Sequence, residues 1–282
     1  TAADALVGGQ GLFATGHRLR QAAFGEVAHR QVVQHRGFGV DVAGGTRLCQ
    51  GDLRVHAGFF MPPLPAQSWP RPAAWRDVLR DIATAIELDA AEPARKDLAR
   101  LKALDAEVLE ALADRVLHTE LYGDDAALLP YVAAALQVLW TAAASRMGVS
   151  EITALDVPGV CPCCGFLPVG SVIRTVGEVS NLRYLHCALC NTEWNLVRLK
   201  CSACDVTDGV SYRALQDAAG KENDAIRAET CESCKSYLKI AYAEKAAVDP
   251  VADDLATLAL DILVDEAGYA RSGPNLLLVP GG

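Results

Sequence analysis

Apolar positions recur at three- and four-residue steps from about residue 71 to 147. Val78, Leu79, Ile82 and Ile86 form one such stripe, and Leu98, Leu101, Leu104, Val108 and Leu112 a second. Pro93 and Pro130 are placed to open helices, because proline at the first helical position sacrifices an N–H that has no partner there. The spacing predicts a further helix from Pro130 to Met147 with Leu136, Leu139 and Trp140 on its buried side. Trp75 and Trp140 read as core aromatics of this helical region.

From Cys161 the period shortens to two. Val172 to Val176, Leu182 to His186 and Trp194 to Lys200 read as short strands, with Leu182 and Tyr184 on one face and Arg183 on the other. Helical periodicity returns at Pro250. Val251, Leu255, Leu258, Ile262 and Leu263 form the expected stripe of a last helix, Asp253 and Asp254 sit in its first turn where the helix dipole favours negative charge, and Gly268 closes it. The first sixty residues fit no element. Gly37, Gly39, Gly44, Gly45, Gly51 and Gly58 oppose a long helix, and His17, His29, His35 and His56 lack the i, i+4 spacing of a helical metal pair. The pattern predicts an α+β chain: a helical domain over 1–155, with 1–60 unassigned, two small metal-binding domains over 156–198 and 199–282, and a C-terminal helix in the second.

The metal reading comes from cysteine spacing. Four Cys-x-x-Cys pairs, Cys161/Cys164, Cys187/Cys190, Cys201/Cys204 and Cys231/Cys234, fall within 74 residues. Ten cysteines scattered at random over this length would give about 0.3 such pairs. Two residues between sulfurs let the chain turn tightly enough for both to meet one ion, and a second knuckle completes a tetrahedron. Pairing in chain order makes one quartet of Cys161, Cys164, Cys187 and Cys190 and another of Cys201, Cys204, Cys231 and Cys234, with interleaved pairing as the alternative. Disulfide frameworks belong to small secreted domains, and a dithiol oxidoreductase needs one pair rather than four. Cys163 stands inside the first knuckle and Cys49 far upstream. The Cys161-Pro162-Cys163-Cys164-Gly165 frame favours Cys164 over Cys163 as the second sulfur, since Gly165 permits positive φ just beyond it. Either iron or zinc suits four thiolates.

Charge narrows the function. The chain carries a net charge of −9. Between Cys161 and Asp249 there are 10 Lys/Arg and 11 Asp/Glu, and two divalent tetrathiolates would add about −4 more, so the region lacks the footprint that drives phosphate binding. Arg183, Arg198 and Lys200 read as a solvated strand face. No apolar run approaches 18 residues, and the most apolar stretch, read as Val251 to Val264, is broken by Asp253, Asp254 and Asp261, so no membrane span is expected. Free metal-knuckle cysteines point to a reducing cytoplasm. There is no GxxxxGK loop, nucleophile elbow or His-Glu-x-x-His, and an enzyme is not expected.

Together, Cys161-Pro162-Cys163-Cys164-Gly165, the run from Leu182 to Trp194 containing His186-Cys187-Ala188-Leu189-Cys190, and Val197-Arg198-Leu199-Lys200-Cys201-Ser202-Ala203-Cys204 resemble the formate dehydrogenase accessory protein family FdhE. Ala228 to Lys239, Val251 to Asp261, Gly268-Tyr269 and Asn275 to Pro280 are similar to the same family, as are Met61-Pro62-Pro63-Leu64, Trp75 and Ala135 to Trp140 upstream; the Gly-rich 37–58 segment is not. The resemblance implies a cytoplasmic maturation factor, not an enzyme, that binds the catalytic molybdenum- or tungsten-containing subunit of a respiratory formate dehydrogenase. It implies rubredoxin-like centres with Cys161, Cys164, Cys187, Cys190, Cys201, Cys204, Cys231 and Cys234 as ligands, and iron over zinc. A rubredoxin-type electron carrier and a zinc-ribbon nucleic-acid binder are the alternatives.

Overall fold

The computed structural model describes residues 61–217 and 219–278. Cys49, the four upstream histidines, the 37–58 segment and Pro280 lie outside them. Four helices come first: α1 (Trp75–Glu87), α2 (Glu92–Ala103), α3 (Ala106–Leu117) and α4 (Leu129–Ala144). The stripe on α1 buries Trp75, Leu79, Ile82, Ala83 and Ile86. The second stripe is divided between two helices rather than running through one. Asp105 ends the run by accepting a hydrogen bond from Val108 N–H at 2.9 Å, which caps α3 and turns Val108 outward. Pro93 and Pro130 stand in the first turns of α2 and α4. Trp75 and Trp140 are completely buried, as expected.

Among the described residues the most apolar helical stretch is Ala126–Ala144, with a mean hydropathy of 1.6, and not the segment beginning at Val251. It is long and apolar enough to cross a membrane, but 67% of it is buried inside the protein. As the central helix of the bundle it needs apolar residues on every side, so its composition reflects core packing.

A sheet follows, of β1 (Pro168–Val176), β2 (Val179–Cys187), β3 (Glu193–Asn195), β4 (Val210–Arg213), β5 (Ile226–Cys231), β6 (Ser236–Tyr242) and the two-residue β7 (Ala270–Arg271). Its order is β3-β2-β1-β6-β5-β4, with β7 also paired to β6. Each half consists of a Cys-x-x-Cys knuckle, an antiparallel hairpin, a second knuckle and a returning strand. The halves lie side by side in the same orientation, joined where Ser171, Val172 and Ile173 of β1 run parallel to Ile240, Ala241 and Tyr242 of β6. Close backbone contacts brace this arrangement. A Cβ on Gly159, ahead of the first knuckle, would lie 1.9 Å from the carbonyl oxygen of Ser202 in the third. Gly159→Ala must therefore move backbone, and we expect a loss of about 1–3 kcal/mol, read as a lowered Tm in thermal unfolding; an unchanged Tm would contradict this packing.

Three strand and helix expectations are corrected. The strand expected from Trp194 to Lys200 stops at Asn195, after which Leu196 N–H bonds Arg183 O and the chain turns through Leu199 at φ 70°. That turn covers Arg183, whose side chain is fully buried against Glu229 at 2.7 Å, so Arg183 is no solvated residue; Lys200 is paired with Asp205 at 2.6 Å. The last helix is two: α5 (Pro250–Ala256) and α6 (Leu258–Glu266). They break at Thr257, whose hydroxyl donates to Asp253 O. Past the break Ile262 and Leu263 are exposed and Leu260 and Val264 buried, while Asp254, ahead of it, is buried against Arg271, Asn275 and Lys239. Gly268, at φ 85°, ends α6 as expected.

Candidate metal centres

Each knuckle is built by one repeated backbone device. Cys161 N–H bonds Phe166 O, Cys187 N–H bonds Thr192 O and Cys201 N–H bonds Val206 O, each five residues on; Cys231 stands opposite Ser236 in the β5–β6 register. The residue after the second cysteine has positive φ in all four knuckles: Gly165 (73°), Asn191 (56°), Asp205 (66°) and Lys235 (54°). This left-handed step reverses the chain so that the second sulfur faces the first. Backbone N–H groups point inward as well, from Leu189 and Cys190 to Cys187 Sγ and from Ala203 to Cys201 Sγ, each at 3.4 Å.

The structure brings together the quartets expected from chain-order pairing. Within each, all four sulfurs lie within 4.8 Å of one another. Cys161 and Cys190 sulfurs are 3.5 Å apart, as are those of Cys164 and Cys187; Cys201–Cys234 and Cys204–Cys231 are 3.7 Å apart. An ion bound tetrahedrally with metal–sulfur bonds of about 2.3 Å places its ligands about 3.8 Å from each other, so either quartet is able to hold one. Cys163 is buried beside the first quartet without belonging to it, and its carbonyl accepts from Leu64 N–H.

Electrostatics point the same way. Burial pushes the Cys164 and Cys187 thiols well above their usual range. Cys190 goes well below it: burial opposes its ionisation, but hydrogen bonds from the Cys161, Cys163, Cys164 and Cys187 thiols outweigh that penalty. Burial disfavours charge in this dry pocket, so four thiolates there require a cation among them. In the second quartet Cys234 is exposed, and hydrogen bonds from Ser236 and Cys204 overcome its partial burial to bring its thiol down to about 7.

Residues that sequence reasoning passed over tie the first centre to its surroundings. Leu64 and Ala66 N–H groups bond the carbonyls of Cys163 and Cys164, Gln137 Nε2 donates to Ala188 O at 2.7 Å, and Asn191 Nδ2 donates to Thr141 Oγ1 at 2.8 Å. His186 lies between Glu193 and Asn191, and although burial alone would raise the Glu193 carboxyl, His186 and Arg174 hold it below the usual range. Nothing in a single sequence marks Gln137 or Asn191 as knuckle partners. Arg183 and Glu229 sit four and two residues before knuckle cysteines on equivalent strands, but at offsets that do not correspond, so the repeat does not announce their pairing.

Comparison with known proteins places this architecture. The N-terminal, central and C-terminal domains of FdhE match residues 50–155, 160–198 and 199–278. An FdhE homolog of Edwardsiella ictaluri is 42% identical over 224 residues, covering 78% of this chain and 70% of the relative. Protein FdhE of Escherichia coli O1:K1 / APEC is 34% identical over 268 residues, 94% of this chain and 83% of the relative. The crystal structure of the FdhE protein from Pseudomonas aeruginosa superposes with a TM-score of 0.70 at 33% identity, covering 89% of this chain and 86% of that one. The chain belongs to the FdhE family of formate dehydrogenase accessory proteins.

Proposed function

We propose that this protein holds the catalytic molybdenum- or tungsten-containing subunit of a formate dehydrogenase in the cytoplasm during maturation, and that it does so as a metal-stabilised platform without catalysing a reaction. Cys161, Cys164, Cys187 and Cys190 hold one ion, and Cys201, Cys204, Cys231 and Cys234 the other. Iron is preferred to zinc on the family resemblance; four thiolates accept both. Bound there, either ion supplies cross-linking of the knuckles, and iron also a one-electron couple.

The observation that carries the platform reading is the position of the first quartet, 0–2% exposed at the joint between the helical bundle and the sheet. A sulfur cage buried in such a joint fixes the relative placement of two large surfaces, which suits a holding factor. Cys163 and Cys164 accept backbone hydrogen bonds from the segment that enters the helices, so the knuckle and the bundle are ordered together.

The test is purification of the tagged full chain without oxygen, followed by metal analysis, an absorption spectrum and identification of what it retains. We expect two ions per chain and the catalytic subunit of a formate dehydrogenase in the eluate. Metal-free, folded protein would overturn the ligand assignment, and a failure to retain that subunit from cells producing it would overturn the partner assignment.

A further inference from the structure

The two quartets are built alike but placed differently. All four sulfurs of the first belong to the large apolar core that also contains Leu64, Trp140 and Leu189, with Cys161, Cys164, Cys187 and Cys190 at 0%, 1%, 0% and 2% exposure. The second quartet joins none of the apolar clusters among the described residues. Cys201 and Cys231 are buried, Cys204 is half-buried and Cys234 is exposed, within an exposed run that includes Glu232, Ser233 and Lys235.

Removing an ion from the first quartet means opening the joint. The contacts of Leu64, Ala66, Gln137 and Asn191 with the knuckles must part before any outside ligand reaches a sulfur, which is a sub-global unfolding event. At the second quartet no such event is needed. Cys234 already faces solvent; its exposed turn is tied to the core by the buried Tyr269, whose hydroxyl bonds Glu232 and whose ring lies under Arg213 and Lys235, and these ties leave the Cys234 side chain itself uncovered.

Resting on the ligand assignment above, we infer that the two centres have different tasks: the first is a permanent staple, and the second is an exchange site that opens through Cys234 to small soluble thiols. In the exchange, an incoming thiolate sulfur bonds to the ion as the bond to Cys234 breaks. The freed Cys234 thiolate takes up a proton from solvent. No change of oxidation state is involved, so the step is the same for zinc and for ferrous iron. A low-molecular-weight thiol fits because only Cys234 and, in part, Cys204 are accessible, while Cys201 and Cys231 stay buried behind them.

The test uses the full-length protein loaded with two equivalents of zinc, a chromogenic zinc chelator with and without glutathione, and timed alkylation with iodoacetamide mapped by mass spectrometry. We expect one equivalent to leave at least about tenfold faster than the other, and glutathione to accelerate that phase alone, because thiol access differs between the sites. Cys234 and Cys204 should be labelled during the fast phase, and Cys161, Cys164, Cys187 and Cys190 only during the slow one. Release of both equivalents in one phase, a fast phase indifferent to glutathione, or early labelling of the first quartet would overturn the division of tasks while leaving the ligand assignment intact. A chain that cannot be loaded beyond one equivalent would instead overturn the ligand assignment, and with it the inference.

Discussion

Cys187→Ala will lose the ion of the first centre and with it the attachment of the helical bundle to the sheet. Cys187 is fully buried, its sulfur is 3.5 Å from that of Cys164, and it accepts two backbone N–H groups that no methyl could satisfy. A structural tetrathiolate contributes on the order of 10–16 kcal/mol in small peptides, comparable with or larger than the roughly 5–15 kcal/mol by which ordinary domains are stable. We therefore expect the variant to bind one ion instead of two, to be cut by protease between α4 and β1 under conditions that leave the parent intact, and to lose the formate dehydrogenase subunit. Cys163→Ala is the control. That side chain is equally buried, beside the same quartet but outside it, so it should cost only about 1–2 kcal/mol of packing and retain both ions. If Cys163→Ala loses an ion and Cys187→Ala keeps both, the assignment of the first centre is wrong.

The second large effect is expected at Asp254, far from any sulfur. Its carboxylate accepts from Arg271 at 2.6 Å and Asn275 at 2.9 Å and lies 3.2 Å from Lys239 Nζ, with a side chain only 2% exposed. Lys239 also reaches Asp261 at 2.6 Å, and Tyr237 donates to Asp261 at 2.8 Å. This network fastens α5 and α6 to β6 and β7. Asp254→Ala leaves Lys239 and Arg271 buried with one carboxylate between them, and the expected loss is about 3–5 kcal/mol. Asp253→Ala, one residue earlier on the same helix, removes a partly buried carboxylate that accepts from Asp249 N–H and should cost about 1 kcal/mol or less. Chemical denaturation of both variants checks the contrast. Equal losses would show that Asp254 acts only as helix-terminal charge.

Asp254 also marks the limit of what the sequence discloses. A carboxylate in the first turn of a helix that follows Pro250 reads naturally as dipole complementarity, and Asp253 does stand in that turn. The break at Thr257 rotates the register, and only the tertiary partners Lys239, Arg271 and Asn275 make burial of Asp254 worthwhile; none is near it in the chain. Arg183 failed for a related reason. Strand alternation assigns it to a face, but whether that face is wet depends on where 196–200 folds back. By contrast, the sulfur quartets were legible because metal-knuckle spacing is a local property. Gly165 announced its left-handed turn, Asn191 and Asp205 are residue types that tolerate one, and Lys235 gave no signal. The core helices were legible where the stripe was long, as in α1, and misdrawn where a single capping residue, Asp105, divided a continuous pattern.

The like-oriented halves of the sheet carry a hazard of their own. Because β6 of one half adds to β1 of the other by simple displacement, the arrangement has no closure: the outward side of β4 is the counterpart of the side of β1 that β6 covers, and further units could in principle add without end. The outermost strands are the shortest of the six along that path, three residues in β3 and four in β4. With so few free backbone groups at either margin, neither edge offers a long template on which another copy's ribbon would add.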